Sequence, residues 1–310
     1  MATTKDLIIQ IHRTFLDHRD KIPLLKTFKK GVLPPLPVFP AMAILPKRDD
    51  FSYVYSGGKY RVQREFEIQI IAKSLKKRDA RDQVQTLMDG CIRIIRDNPS
   101  FNDLCYDTYA ESQDLEDPIE RTDSVLSIGT IKMLCFSFEN KPTRAVRSVS
   151  LYESSSTHLL SQIYDLFINN KNDVDYPMSG LKNFKVQTLG PTVSFPAAIL
   201  SELIGDRVRS MSGIDIVSRE IRLEIFTKML DKDFSLFSNL DLCENAKRII
   251  QLDSTLGGAV QDSEIDNISY YRLQDDALGL LYNSIITTVC QTREYLRDEE
   301  IMDEKDQKSW

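Results

Sequence analysis

Apolar residues recur along this chain in helical and strand rhythms, and the succession of rhythms is written twice. Leu7, Ile8, Ile11 and Phe15 fall at i, i+1, i+4 and i+8 on one stripe of a helix, as do Leu159, Leu160, Ile163 and Phe167. Residues 38–45 and 193–200 then read as short strands, the first flanked by Pro34, Pro35 and Pro37 in a setting that suits a sheet edge. A hairpin follows: residues 51–55 and 60–72 are rich in aromatic and β-branched side chains and are joined across Ser56, Gly57, Gly58 and Lys59. Val62, Phe66, Ile68 and Ile70 share one face of its second strand, with Gln63, Glu65, Glu67 and Gln69 on the other. One face is therefore buried, and the other is wet or meets a partner.

Asp79 reads as the N-cap of a helix over residues 80–97, whose stripe is Val84, Leu87, Met88, Cys91, Ile94 and Ile95 and which ends at Asn98-Pro99. Strands over residues 106–113 and 125–138 complete the unit. The alternation of the last changes phase near Gly129, which predicts a bulge. Each unit is thus α+β, with two helices on one face of an antiparallel sheet.

The second half repeats the first at a nearly constant offset. Phe39-Pro40-Ala41 returns as Phe195-Pro196-Ala197, Arg64-Glu65 as Arg219-Glu220, and Arg93-Ile94-Ile95 as Arg248-Ile249-Ile250, offsets of 156, 155 and 155. A period this long is not that of a solenoid. The expectation is two tandem domains, 1–140 and 157–292, a linker at 141–156, and a polar acidic tail at 293–310 with too little apolar surface to pack alone.

Composition agrees with two cores: 310 residues, 42% hydrophobic and 28% charged. There is no apolar run of membrane-spanning length and no apolar signal-peptide core at the N-terminus, so a cytoplasmic site of action is expected. Cys91, Cys105, Cys135, Cys243 and Cys290 are widely spaced without a CxxC pair, which reads as buried thiols in a reducing compartment. A net charge of −6 argues against the whole molecule binding nucleic acid, but leaves room for a local basic patch. Lys73, Lys76, Lys77, Arg78 and Arg81 form such a cluster, where the second repeat has Lys228, Asp231, Lys232 and Asp233. It is either a solvated loop or a contact for an acidic partner or DNA.

Chemistry-bearing motifs are sparse. His12, His18 and His158 lack metal-ligand spacing, and no nucleophile elbow accompanies them. Gly57-Gly58-Lys59 lacks the spacing of a phosphate loop and precedes a strand, so a hairpin turn is the better reading. Pro34 to Pro37 reads as a stiff loop, and Glu116-Asp117 and Asp275-Asp276 as solvated loop charges. Arg64 and Arg219 share the apolar phase of equivalent strands, which fits either a paired arginine at the core's edge or a contact between neighbours. No catalytic, metal-binding or cofactor-binding residue is assigned.

The leading helix, the run Phe39-Pro40-Ala41-Met42-Ala43-Ile44-Leu45-Pro46, the hairpin from Tyr55 to Ile68 and the helix ending in Asp97-Asn98-Pro99 together resemble the tail terminator (tail completion) proteins of tailed bacteriophages. The resemblance covers the first repeat and, more weakly, the second; the family domain is usually single, and here it is doubled. It implies a non-enzymatic virion protein, assembled in the host cytoplasm, that caps the tail tube as a homo-oligomeric ring, with a hexamer expected, and forms part of the head-tail junction. Implied partners are other copies of itself, the tail tube protein, a neck or head-completion protein and a sheath protein. DNA would pass only through the lumen, and no cofactor or membrane is involved. Candidate assembly contacts are Gly57, Gly58, Lys59, Lys73, Lys76, Lys77, Arg78 and Arg81. A neck adaptor or other tube-derived ring protein is the nearest alternative, and a duplicated cytoplasmic interaction scaffold the alternative of another class; an enzyme would need a converging polar pocket.

Overall fold

The computed structural model describes residues 2–34, 37–54, 59–140, 156–172, 177–189, 194–209, 214–229, 231–276 and 279–295. Helix α1 (Thr4–Asp17) starts at a capping box, in which the Thr3 hydroxyl accepts the Asp6 N–H at 3.1 Å and the Asp6 carboxylate accepts the Thr3 N–H at 2.9 Å. Its stripe of Leu7, Ile8, Ile11 and Phe15 is fully buried. Strand β1 (Thr27–Lys30) runs parallel to the start of β2 (Ala41–Val54). The sequence pattern does not reveal β1, because four half-exposed residues show no alternation. It also splits β2 in two at residues 46–50. The chain instead passes through Pro46 as one strand, absorbing the irregularity in a register shift between Pro46 and Arg48.

Strand β3 (Lys59–Ser74) pairs antiparallel with β2 and leads to α2 (Lys77–Asp97). The N-cap is Lys76 rather than Asp79, and it makes no side-chain capping bond; Asp79 sits in the first turn, where a carboxylate favours the positive end of the helix dipole. Strands β4 (Asp107–Leu115), β5 (Ile119–Arg121) and β6 (Ser124–Asn140) follow, β4 and β5 both pairing with β6. The expected bulge at Gly129 is absent: Gly129 pairs in unbroken register with Ile70 and Leu115, and the shift lies in β4 between Ala110 and Ser112. What the broken alternation marks is helix contact. A Cβ on Gly129 would stand 2.5 Å from both Met88 Sδ and Val84 Cγ1, so α2 rests directly on the backbone there.

The second half supplies α3 (Ser156–Asn169), β7 (Asn183–Val186), β8 (Ala197–Arg209), β9 (Ile214–Met229), α4 (Lys232–Leu252), β10 (Asp262–Asp276) and β11 (Gly279–Tyr295). The bounds of β3 and β9, and of α2 and α4, differ by 155 residues at both ends, and β1 and β7 by 156. The repetition reaches single hydrogen bonds. Lys26 N–H to Pro40 O at 2.9 Å returns as Lys182 N–H to Pro196 O at 2.8 Å, and Cys105 N–H to Ser100 O at 3.2 Å as Val260 N–H to Thr255 O at 3.0 Å. Both Phe39-Pro40 and Phe195-Pro196 are cis. Strand β10 spans the positions that β4 and β5 occupy in the first repeat.

The hydrogen-bonded strand order is β4-β6-β3-β2-β10-β11-β9-β8-β7, with β1 on β2 and β5 on β6. This corrects the expected pair of antiparallel sheets: the class is α+β with four α-helices among the described residues, but the sheet is one mixed, eleven-stranded sheet, because β1 and β7 lie parallel to their neighbours. By contacts, the chain divides into two compact units. The first is Met1–Lys141 with Thr227–Asp241 and Ser269–Tyr282; the second is Pro142–Phe226, Leu242–Ile268 and Asn283–Trp310. The first half of α4 and the tip of the β10–β11 hairpin thus fold within the first unit. Most of the expected linker and tail lies outside the described residues.

Candidate functional site

The basic cluster forms where β3 turns into α2. Lys73 is near the end of the strand, Lys76 is the N-cap, and Lys77, Arg78 and Arg81 occupy the first turns of the helix, all exposed. Arg78 approaches Asp82 at 3.6 Å, but with side chains 90% and 67% exposed this pair contributes little. Cations beside a helix N-terminus oppose its dipole, so the cluster costs local stability. Leu75, between the strand and the helix, is 84% exposed. Lys59 stands apart, at the other end of β3, roughly 50 Å away at about 3.3 Å per strand residue. Gly57 and Gly58 lie outside the described residues.

An acidic margin borders the same end of the sheet. Glu111, Asp114, Glu116, Asp117 and Glu120 are exposed along β4, β5 and the segment between them. Strand β6 lies between the two charge groups, pairing Glu120 through Val125 on one side and Ser74 through the same residue on the other. Glu116 and Asp117 are exposed in the loop between β4 and β5, as the sequence predicts, and there they join the other carboxylates of this margin.

Arg64 belongs to the core. Its side chain is 1% exposed; Nε donates to Thr4 Oγ1 at 3.2 Å, Nη1 to Ser137, and Nη2 to Ala2 O at 3.1 Å and to Glu139. Asp49, 3.8 Å from Nε, accepts hydrogen bonds from Thr4 Oγ1 at 2.6 Å and from the Tyr270 hydroxyl at 2.9 Å. One guanidinium therefore ties α1, β2, β3 and β6, while Tyr270 attaches β10 to the same network. In the second unit Arg219 is likewise buried, donating to Thr292 Oγ1 at 3.0 Å at the position equivalent to Ser137, but it pairs with the carboxylate of Glu202, because Ile204 stands where the first unit has Asp49. Of the two readings the sequence leaves open, the geometry selects the buried arginine.

Beside this network the first unit holds its two inserted stretches by other contacts. Lys5 pairs with Asp241 at 2.7 Å, and Lys30 lies over the Phe237 ring at 5.2 Å. Gly31, at φ +84°, leaves room for Leu236 and the Tyr282 hydroxyl, which a Cβ would meet at 2.9 and 3.0 Å.

All five cysteines are buried, and none is in a disulfide. Burial pushes the Cys91 thiol far above its ordinary range and that of Cys290 up to about 12, since a thiolate there would lose its hydration. Cys105 goes the other way, its pKa lowered chiefly by the hydrogen bond from Cys135. Only the thiolate attacks. At pH 8 a disulfide reagent should therefore modify Cys105 first and leave Cys91 and Cys290 until the protein unfolds; equal labelling rates by mass spectrometry would contradict this packing.

His12 stacks on Phe28 with ring centroids 4.3 Å apart, a packing role. Among the described residues there is no group of three or more His, Cys, Asp or Glu placed to hold a metal ion, and no helix is long and apolar enough to cross a membrane. Comparison of the sequence with protein-family models finds no matching family, and comparison with curated proteins finds no significant match.

Proposed function

We propose that this chain is a structural virion protein that caps the tail tube of a tailed phage as a ring and forms part of its head-tail junction, built from two tandem terminator-like domains. The motif resemblance of the first repeat brings in the phage role. The structural observation that carries a ring is that the chain makes an edge joint within itself: in the first unit the tip of β10 is hydrogen-bonded beside β2. A fold whose repeat can be extended at its strand edges suits head-to-tail closure. The partners on this reading are further copies of the chain, the tail tube protein and a neck protein, with function residing in surfaces rather than in a catalytic cluster.

Mass measurement and negative-stain imaging of the purified protein test the reading, with a closed ring expected and six copies favoured. A protein that stays monomeric at high concentration and beside isolated tail tubes would end it. Reversing Lys76 and Lys77 to glutamate should raise stability by about 0.5–2 kcal/mol, because it replaces cations by anions at the positive end of the helix dipole, and should lower the assembled fraction. Normal assembly by that variant would remove the basic cluster from the contact while leaving the ring.

A further inference from the structure

The joint inside the first unit has two open counterparts on the same molecule. Subtracting 155 from Thr227–Asp241 and Ser269–Tyr282 gives residues 72–86 and 114–127: the end of β3, the first half of α2, the end of β4, all of β5 and the start of β6. In the second repeat Leu236, Phe237, Asp241, Tyr270 and Tyr282 of these stretches pack against α1, β2, Lys30 and Gly31 within the first unit. In the first repeat they include the exposed basic cluster and most of the acidic margin, with Leu75 at 84% and Ile119 at 46% exposure. The receiving side is matched as well. Strand β1 covers only residues 41–44 of β2, and β10 pairs farther along, where Tyr270 meets Asp49. Strand β7 covers only residues 197–200 of β8, and residues 201–209 have β9 as their one ladder partner among the described residues.

We infer that residues 72–86 and 114–127 of one copy seat against α3, β7 and the outer half of β8 of a second copy, as residues 227–241 and 269–282 seat against α1, β1 and β2 within the chain. The occupant is a second copy because each molecule carries one open half of either kind, and the two halves are those of a joint it already makes. Such a contact is heterologous and propagates head to tail. The inference rests on the ring reading above and gives it a surface. It also accounts for the difference in charge between the repeats. Leu236 and Phe237 make the internal joint apolar, and the residues 155 positions earlier, Arg81 and Asp82, are charged and exposed. The joint between copies is therefore more polar, more reversible and more sensitive to salt than the one within the chain.

Cross-linking of two single variants tests this. Tyr270 and Asp49 touch in the chain, and their counterparts are Leu115 and Ile204, the latter opposite Arg219 as Asp49 is opposite Arg64. Full-length L115C and I204C proteins, each with an unchanged melting curve, are mixed and treated with a short bis-maleimide. A covalent dimer containing one of each is expected, and none from L115C mixed with K59C. Leu75→Asp should weaken self-association by about tenfold or more, through loss of apolar burial at the contact. Failure of the L115C–I204C dimer in a preparation that mass measurement shows to be a ring overturns this surface and leaves the ring reading intact. A strict monomer overturns both, and equal cross-linking by the K59C pair overturns the specificity claimed.

Discussion

Replacing Arg64 by methionine is expected to destabilise the first unit by about 3–5 kcal/mol, the largest effect of any single substitution considered. The size follows from what remains. Arg64 is 1% exposed, and its removal leaves Glu139 and Asp49, themselves 2% and 3% exposed, without the cation that offsets their lost hydration. Methionine fills much of the volume but donates no hydrogen bond to Ser137, Thr4 or the Ala2 carbonyl. The effect should persist in high salt, because the pair is screened by protein rather than by water. Tyr270→Phe removes one hydrogen bond to a charged acceptor and should cost about 1.5–3 kcal/mol. Urea unfolding followed by circular dichroism checks both. A loss below about 1 kcal/mol for Arg64→Met would mean that the carboxylates find water or another partner, and the network would not be what holds β2, β3 and β6 to α1.

Ile249→Ala should cost about 2–4 kcal/mol in the second unit, and Ile94→Ala, at the matching position, a similar amount in the first. The two residues are 4% and 0% exposed, each on the buried stripe of its 21-residue helix. The loss combines the transfer of the deleted carbons with the cavity left behind. Close packing limits how far that cavity can collapse: on α2, a Cβ at Gly90 would meet the Lys21 carbonyl oxygen at 2.3 Å, so the helix cannot slide toward the chain that covers it. Calorimetry on the two variants should show the deficit in different transitions or in different parts of one transition. A melt unchanged by Ile249→Ala would remove that stripe from the core.

Much of the fold was legible because helix stripes and strand alternation are local properties. The buried faces of α1, α2 and β3 follow from spacing alone, and so does the offset of 155, since a repeated core needs repeated apolar phase. Even Arg64 showed its place by sitting on the apolar phase of β3. What it does there depended on Asp49, Glu139 and Tyr270, which are far from it in sequence and carry no pattern that brings them together. The misread places share this cause. Gly129 broke the alternation because α2 needed its missing side chain, and β1 was silent because a short parallel strand draws its stability from its neighbour.

The basic cluster marks the limit most clearly. Its residues, exposure and position at a helix start follow from sequence, as does its absence from the second repeat. Its correspondence to a packed joint does not, because a strand edge acquires a partner only through long-range pairing that no local period encodes. Local hydrophobic phase thus determined the elements and their repetition, whereas the parallel strands, the buried charge network and the strand order joining β2 to β10 were decided by tertiary structure. Each of those depends on which surfaces meet, and on burying polar groups only where a distant partner can satisfy them.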